Sequence, residues 1–198
     1  MQFPIAYPLT ISFKIVAFAP QFSITDANGK LIGYVKQKLF KLKESVTVFA
    51  DEAQKQPLYT INADRIIDFS ARYSFTTSQG AALGSTKRHG MKSIWKTHYD
   101  ILDGDTVAMS INEENPWIKV FDAIFSDIPV IGVFSGYVFH PVYLVSRQDG
   151  AVVMRLEKQP AFFEGKFLVE KKAQLSEVEE QRALLSLMMM LLLERTRG

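Results

Sequence analysis

The sequence contains no cysteine. Disulfide staples, thiolate zinc sites, iron–sulfur clusters and thiol nucleophiles are therefore excluded, and a reducing compartment suits the chain. Histidine is scarce, with only His89, His98 and His140. No G-x-G-x-x-G, P-loop or H-E-x-x-H pattern occurs. Gly132-Val133-Phe134-Ser135-Gly136 reads G-x-x-S-G, one position away from a nucleophile elbow. A spanning helix is missing too. Ile128 to Val145 runs 18 residues without a formal charge, but Pro129, Gly132, Gly136, His140 and Pro141 interrupt it. Ala183 to Leu193 is apolar except for Ser186, yet it reaches only about 16 Å as a helix, half a bilayer core. Met1-Gln2-Phe3-Pro4-Ile5 lacks the basic segment of a signal peptide. These absences lead us to expect a cytoplasmic chain, peripheral to a membrane at most.

What is present is substantial. The 198 residues are 47% hydrophobic, enough to fill a core, and a single domain over residues 1–198 is expected. The net charge is only +2, but it is unevenly spread. Residues 30–43 hold Lys30, Lys36, Lys38, Lys41 and Lys43 and no acid. Residues 69–99 hold Arg72, Lys87, Arg88, Lys92 and Lys96, again without an acid. Residues 100–149 carry eight acids against Lys119 and Arg147. Such a pattern makes either a basic face for anions or a mixed surface on which acidic and basic strands face each other.

A loose repeat organises the chain: a short alternating strand, a turn, and a second strand. Ile24 to Val35 is the clearest copy, and its Asn28-Gly29 is the strongest type I′ hairpin signal. Phe75 to Lys87 repeats it around Gln79-Gly80, Ile101 to Ile111 around Asp103-Gly104, and Leu144 to Leu156 around Asp149-Gly150. Val48 to Ile61 is a weaker copy without the glycine. Many short strands at regular spacing argue for an all-β barrel or sandwich. One larger gap, roughly Asn115 to His140, reads as an insertion. Asn115 suits a helix cap and Pro116 a first turn, after which Trp117, Val120, Phe121, Ile124 and Phe125 share one helical face.

The end of the chain says most about architecture. Ser176-Glu177-Val178-Glu179 is a capping box, with acids at 177, 179 and 180 at the positive end of the helix dipole and Arg195 and Arg197 at the other. From Ala183 to Leu193 the helix is apolar all the way round, so it must be enclosed on every side. In a chain of hairpins, only a barrel surrounds a helix. We therefore expect a mainly β (α+β) fold: an antiparallel β-barrel enclosing the C-terminal helix, with a short helical insertion.

A barrel of sequential hairpins threaded by an apolar C-terminal helix resembles the tubby C-terminal fold of tubby-like proteins, phospholipid scramblases and LURP-one-related proteins. The sequence is most similar to the LURP-one-related branch. The resemblance rests on Gly33-Tyr34-Val35-Lys36-Gln37-Lys38-Leu39-Phe40-Lys41-Leu42-Lys43-Glu44, the hairpins, the strand Gly165 to Lys171 and the final helix, and spans about residues 20–195. It implies the fold. Tubby proteins bind phosphoinositides and scramblases are associated with lipid redistribution, so it also implies a lipid-facing role as one option.

Candidate sites follow from charge and aromaticity. Lys36 and Lys38 share one strand face, and Lys41 and Lys43 another, with a bulge or turn expected near Leu39-Phe40. Adjacent ammonium groups repel and favour water, an acid or a phosphate. Lys36, Lys38, Lys41, Lys43, Lys87 and Arg88 are thus the expected anion or lipid-headgroup residues, unless the lysines serve only to keep an edge strand soluble. Trp117, Phe121, Phe125 and Phe134 are the expected partner or membrane patch, unless they simply cap the barrel. Asp100, Asp103 and Asp105 do not make an EF-hand loop, because Ile111 stands where a glutamate is needed. No catalytic residue, metal or cofactor is assigned, and nucleic acid is not an expected partner. The histidines read as surface or core residues unless the fold gathers them with acids. Three functions remain: a non-enzymatic domain binding anionic phospholipid or phosphoinositide headgroups at a membrane surface, a protein-interaction scaffold using the 115–140 insertion, and a scramblase-like lipid-handling protein.

Overall fold

The computed structural model describes residues 1, 4–14, 21–36, 45–65, 71–89, 98–114, 141–160 and 164–195. All five hairpins expected from the sequence form. The strands are β1 (Leu9–Lys14), β2 (Gln21–Thr25), β3 (Leu31–Lys36), β4 (Ser45–Phe49), β5 (Pro57–Ala63), β6 (Arg72–Thr77), β7 (Ala82–Arg88), β8 (His98–Asp103), β9 (Thr106–Glu113), β10 (Val142–Arg147), β11 (Val152–Gln159) and β12 (Glu164–Lys171). Each pairs antiparallel with its sequence neighbours, and β1 closes onto β12 through Leu9↔Val169 to Lys14↔Glu164. The sheet is a closed barrel with no free edge. The expected insertion at 115–140 and the bulge near Leu39-Phe40 lie outside the described residues.

The hairpin at Asn28-Gly29 differs from the expected type I′ turn. Only Gly29 takes a positive φ, 78°, whereas a type I′ turn needs it at both central residues. Gly29 N–H donates to Asp26 O, and Asp26 and Lys30 close a three-residue loop. The cause is Asp26, whose Oδ1 accepts the backbone N–H of both Asn28 and Lys30, each at 2.9 Å. This side-chain clamp favours the turn that ends in a glycine bulge, and the strand register slips at Ile24/Thr25 accordingly. In the copy without glycine, between β4 and β5, Gln54 carries the positive φ, 59°.

The barrel's interior is filled by α1 (Glu177–Arg195), 19 residues long. Its capping box forms as read: Glu179 N–H donates to Ser176 Oγ at 3.3 Å, and Ser176 N–H donates to Glu179 Oε2 at 2.9 Å. Ala183 to Met190 are all fully buried, together with inward residues of the wall such as Leu9, Ile11, Phe22, Ile61, Ile101, Ile111 and Leu156. Ser186, the lone polar residue in this run, donates its hydroxyl to Arg182 O at 2.8 Å and leaves nothing unsatisfied. Burying the large apolar side chains of α1 contributes on the order of 15–25 kcal/mol before entropy, an upper bound.

Among the described residues, charged side chains hold the helix near its two ends. Near its start, Glu180 accepts from Tyr7 Oη at 2.8 Å and pairs with Lys171. Buried Arg182 donates Nε–H to Leu83 O at 2.6 Å and meets Asp103 at 2.9 Å. Near its end, Glu194 accepts from Tyr99 Oη at 2.9 Å and pairs with Arg88 at 3.5 Å. Gly84 makes room for the Arg182 contact. It sits at a register slip with φ 119°, and a Cβ there would lie 2.3 Å from Leu102 O and 2.6 Å from Arg182 Nε.

Three expectations follow. Removing residues 176–198 empties the barrel, so the truncated chain should be insoluble or lack a cooperative thermal transition. A soluble truncation that melts cooperatively would place the helix outside the core. Gly84→Ala, which meets backbone and strained φ together, should lower stability by about 2–4 kcal/mol in denaturant titrations. Alkali should also weaken the fold. Burial pushes the Tyr59 phenol up to about 12. Burial, followed by the Glu180 and Glu194 carboxylates, raises Tyr7 and Tyr99 as well. The unfolded chain releases these protons near pH 10 while the folded chain keeps them, so their contribution is intact below about pH 10 and is lost as pH rises toward 12. Tyr99→Phe removes one such group, so urea midpoints measured from pH 8 upward should fall less steeply in that variant.

Candidate functional site

The up-and-down order of the strands gives the barrel two unlike ends. At one end lie the short turns after β2, β4, β6, β8 and β10, together with the start of α1. At the other end lie Lys14, Gln21, Lys36, Ser45, Ala63, Arg72, Arg88, His98, Glu113, Val142, Gln159 and Glu164, the residues that begin or finish strands there, beside Glu194 of α1. The stretches 15–20, 37–44, 66–70, 90–97, 115–140 and 161–163, which connect strands across this second rim, are outside the described residues. Lys38, Lys41, Lys43, Trp117, Phe121, Phe125, Phe134 and His140 belong to those stretches.

The described basic candidates share this rim but not one surface. Lys36 ends β3, is exposed, and stands in register with Gln21, which in turn pairs with Lys14. Lys14 is also exposed. One row across three strands therefore reads Lys14–Gln21–Lys36, placing the two lysines about 10 Å apart on the outer face. Sequence reading missed Lys14 because β1 was not recognised, although Leu9, Ile11 and Phe13 alternate cleanly with Thr10, Ser12 and Lys14. Lys30 falls in the β2–β3 turn, at the opposite end from Lys36.

Lys87 and Arg88 lie four strands away from Lys36 and point to opposite faces of β7. Arg88 turns inward, its guanidinium 5.9 Å over the Tyr99 ring and paired with Glu194. Lys87 is exposed on the outer face, in register with Arg72 on one side and Asp100 on the other. Arg72 is itself occupied, donating to Ser85 Oγ and Asp105 Oδ1, each at 2.7 Å, and to Gly104 O. Of the basic stretch 69–99, Arg72 and Lys87 thus meet acids of β8 and the turn that follows it, and Arg88 meets Glu194 of α1. Elsewhere, Arg155 joins Glu157 at 2.5 Å and Glu170 at 3.6 Å, a half-buried surface network of small energetic weight. At the β1–β2–β3 rim, Lys36 stands in register with neutral Gln21, whereas Lys14 has Gln21 on one side and Glu164 of β12 on the other.

The fold also gathers two of the three histidines with an acid. His89 and His98 face each other across β7 and β8, with His89 N–H donating to His98 O at 3.1 Å. Their rings meet edge to face, centroids 4.5 Å apart. Asp100 lies two residues along from His98 on the same outer face and reaches both rings, 2.5 Å to His89 Nε2 and 3.3 Å to His98 Nε2. His98 Nδ1 contacts Asn112 Oδ1 of β9, and Asn112 Nδ2 donates to Ser110 Oγ at 3.1 Å.

No curated protein matches this chain. An X-ray structure of a protein from Arabidopsis thaliana is similar over 97% of this chain and 93% of its own, at 15% identity and a TM-score of 0.50. At that identity the likeness establishes the shared fold. The family model described as LURP-one-related matches residues 31–176, and with the barrel and its enclosed helix in place, the chain belongs to the LURP-one-related family.

Proposed function

We propose that this LURP-one-related barrel is a non-enzymatic domain that binds anionic phospholipid headgroups from the aqueous side, through the rim formed by β1, β2 and β3. The observation that carries the reading is the exposed row Lys14–Gln21–Lys36. Two ammonium groups about 10 Å apart repel by only about 0.4 kcal/mol in water, and a phosphate between them reverses the sign. Lys38, Lys41 and Lys43 follow directly in the chain, with no acid from residue 30 to residue 43. Each lysine near an anionic leaflet contributes about 1 kcal/mol, so the row and its neighbours support peripheral, salt-sensitive attachment. Among the described residues, no helix is long and apolar enough to cross a membrane, which accords with surface attachment by charge.

Vesicle flotation tests this. Binding should be strong to vesicles carrying phosphatidylserine or a phosphorylated phosphatidylinositol, weak to pure phosphatidylcholine, and should decline as salt is raised. The double reversals Lys14→Glu/Lys36→Glu and Lys36→Glu/Lys38→Glu should each weaken binding about thirty-fold or more, at about 1 kcal/mol per lost lysine. Equal flotation with neutral and anionic vesicles, or no effect of either double variant, would overturn the reading.

A further inference from the structure

We propose that His89, His98 and Asp100 form a binding site for a divalent transition-metal ion of the Zn2+ class, on the outer face of β7 and β8. The site is separate from the lysine row and rests on different residues. Its ligand atoms, two imidazole nitrogens and one carboxylate, all lie within 4.8 Å of one another. Both rings present the same atom, Nε2, to the two oxygens of the Asp100 carboxylate.

Asn112 makes this arrangement more than a chance cluster. Asn112 Nδ2 donates to Ser110 Oγ, and its Oδ1 is turned to His98 Nδ1. An amide oxygen only accepts, so Nδ1 carries the hydrogen and a neutral ring keeps its lone pair on Nε2. That lone pair is aimed at Asp100 Oδ1, 3.3 Å away. Two electron-rich atoms held so favour a cation between them, a proton on Nε2 or a metal ion. Ring N–H donation to a fixed oxygen, leaving the other nitrogen free, is also the outer-shell pattern that orients metal-binding histidines.

The donor set indicates the ion. Imidazole and carboxylate without thiolate suit Zn2+, Co2+, Ni2+ and Cu2+ rather than Ca2+ or Mg2+. Ligand bonds of about 2.0–2.1 Å at a tetrahedral ion place neighbouring donors about 3.3 Å apart. The His98–Asp100 spacing already matches this. His89 Nε2, now 2.5 Å from Asp100, must swing outward by under about 1 Å to admit an ion, which its 55% exposed side chain allows. Three protein ligands leave a fourth position for water or another donor. Lys87, opposite Asp100 in the register, opposes the ion's charge and tempers the affinity.

Calorimetric titration of Zn2+ into the tag-free, chelator-treated full chain should show one ion bound per chain. Co2+ should give d–d absorption bands of a four- or five-coordinate ion, and Zn2+ should abolish them. His89→Ala, His98→Ala and Asp100→Asn should each weaken Zn2+ by about tenfold or more, as should Asn112→Leu, which keeps all three ligands. Thermal melts without metal establish that each variant folds. No stoichiometric binding, or unchanged affinity in the His89→Ala/His98→Ala double variant, would overturn the proposal. It falls equally if ring resonances of His89 and His98 shift with pH but not on addition of Zn2+, since a proton then fills the gap.

Discussion

A helix with no polar face governs this structure. Water on any side of Leu184 to Leu192 would cost several kilocalories per mole, so the helix needs a wall that goes all the way round. A sandwich covers a helix from one side and an open sheet leaves edges, whereas a closed ring of antiparallel hairpins covers it completely. The pairing of β1 with β12 is what completes that ring. The inward residues of the twelve strands, the close approach at Gly84 and the self-satisfied Ser186 all follow from fitting wall to helix.

Polar chemistry is consequently pushed to the ends and the outside. Among the described residues, buried charge lies near the two mouths: Glu180 and Arg182 at one, Glu113, Glu194 and Arg88 at the other. One end is finished by short turns, locked by side-chain clamps such as Asp26 on Asn28 and Lys30. The other end bears the longer connections, the usual place for function on a rigid scaffold. Both the lysine row and the histidine cluster belong to that second end.

The features readable from sequence were those encoded locally. Apolar positions without a polar face, a Ser-x-x-Glu cap and glycine-marked turns each signal themselves within a few residues, and together they specified barrel and helix. Pairing across strands is encoded nowhere locally. His89 and His98 are separated by a nine-residue step, and Asn112 lies a further strand away, so only register unites them with Asp100. Register also divided what the charge runs had joined: Lys30 and Lys36 went to opposite ends of β3, and Lys87 and Arg88 to opposite faces of β7. The turn at Asn28-Gly29 was misjudged because the dipeptide rule ignores the carboxylate two residues upstream. The first strand was missed for want of a turn signal next to it.

The position of the helix in the chain has a consequence for synthesis in the cell. The core follows its entire shell in the order of translation, so a ribosome exposes twelve strands with inward-facing apolar residues before the element they pack on exists. At about 5–20 residues per second, that interval lasts on the order of ten seconds or more for the wall alone. The interior cannot be completed until this helix has left the exit tunnel. The wall therefore closes on its core only once the helix has been made, and until then its strands are open to pairing with those of other chains.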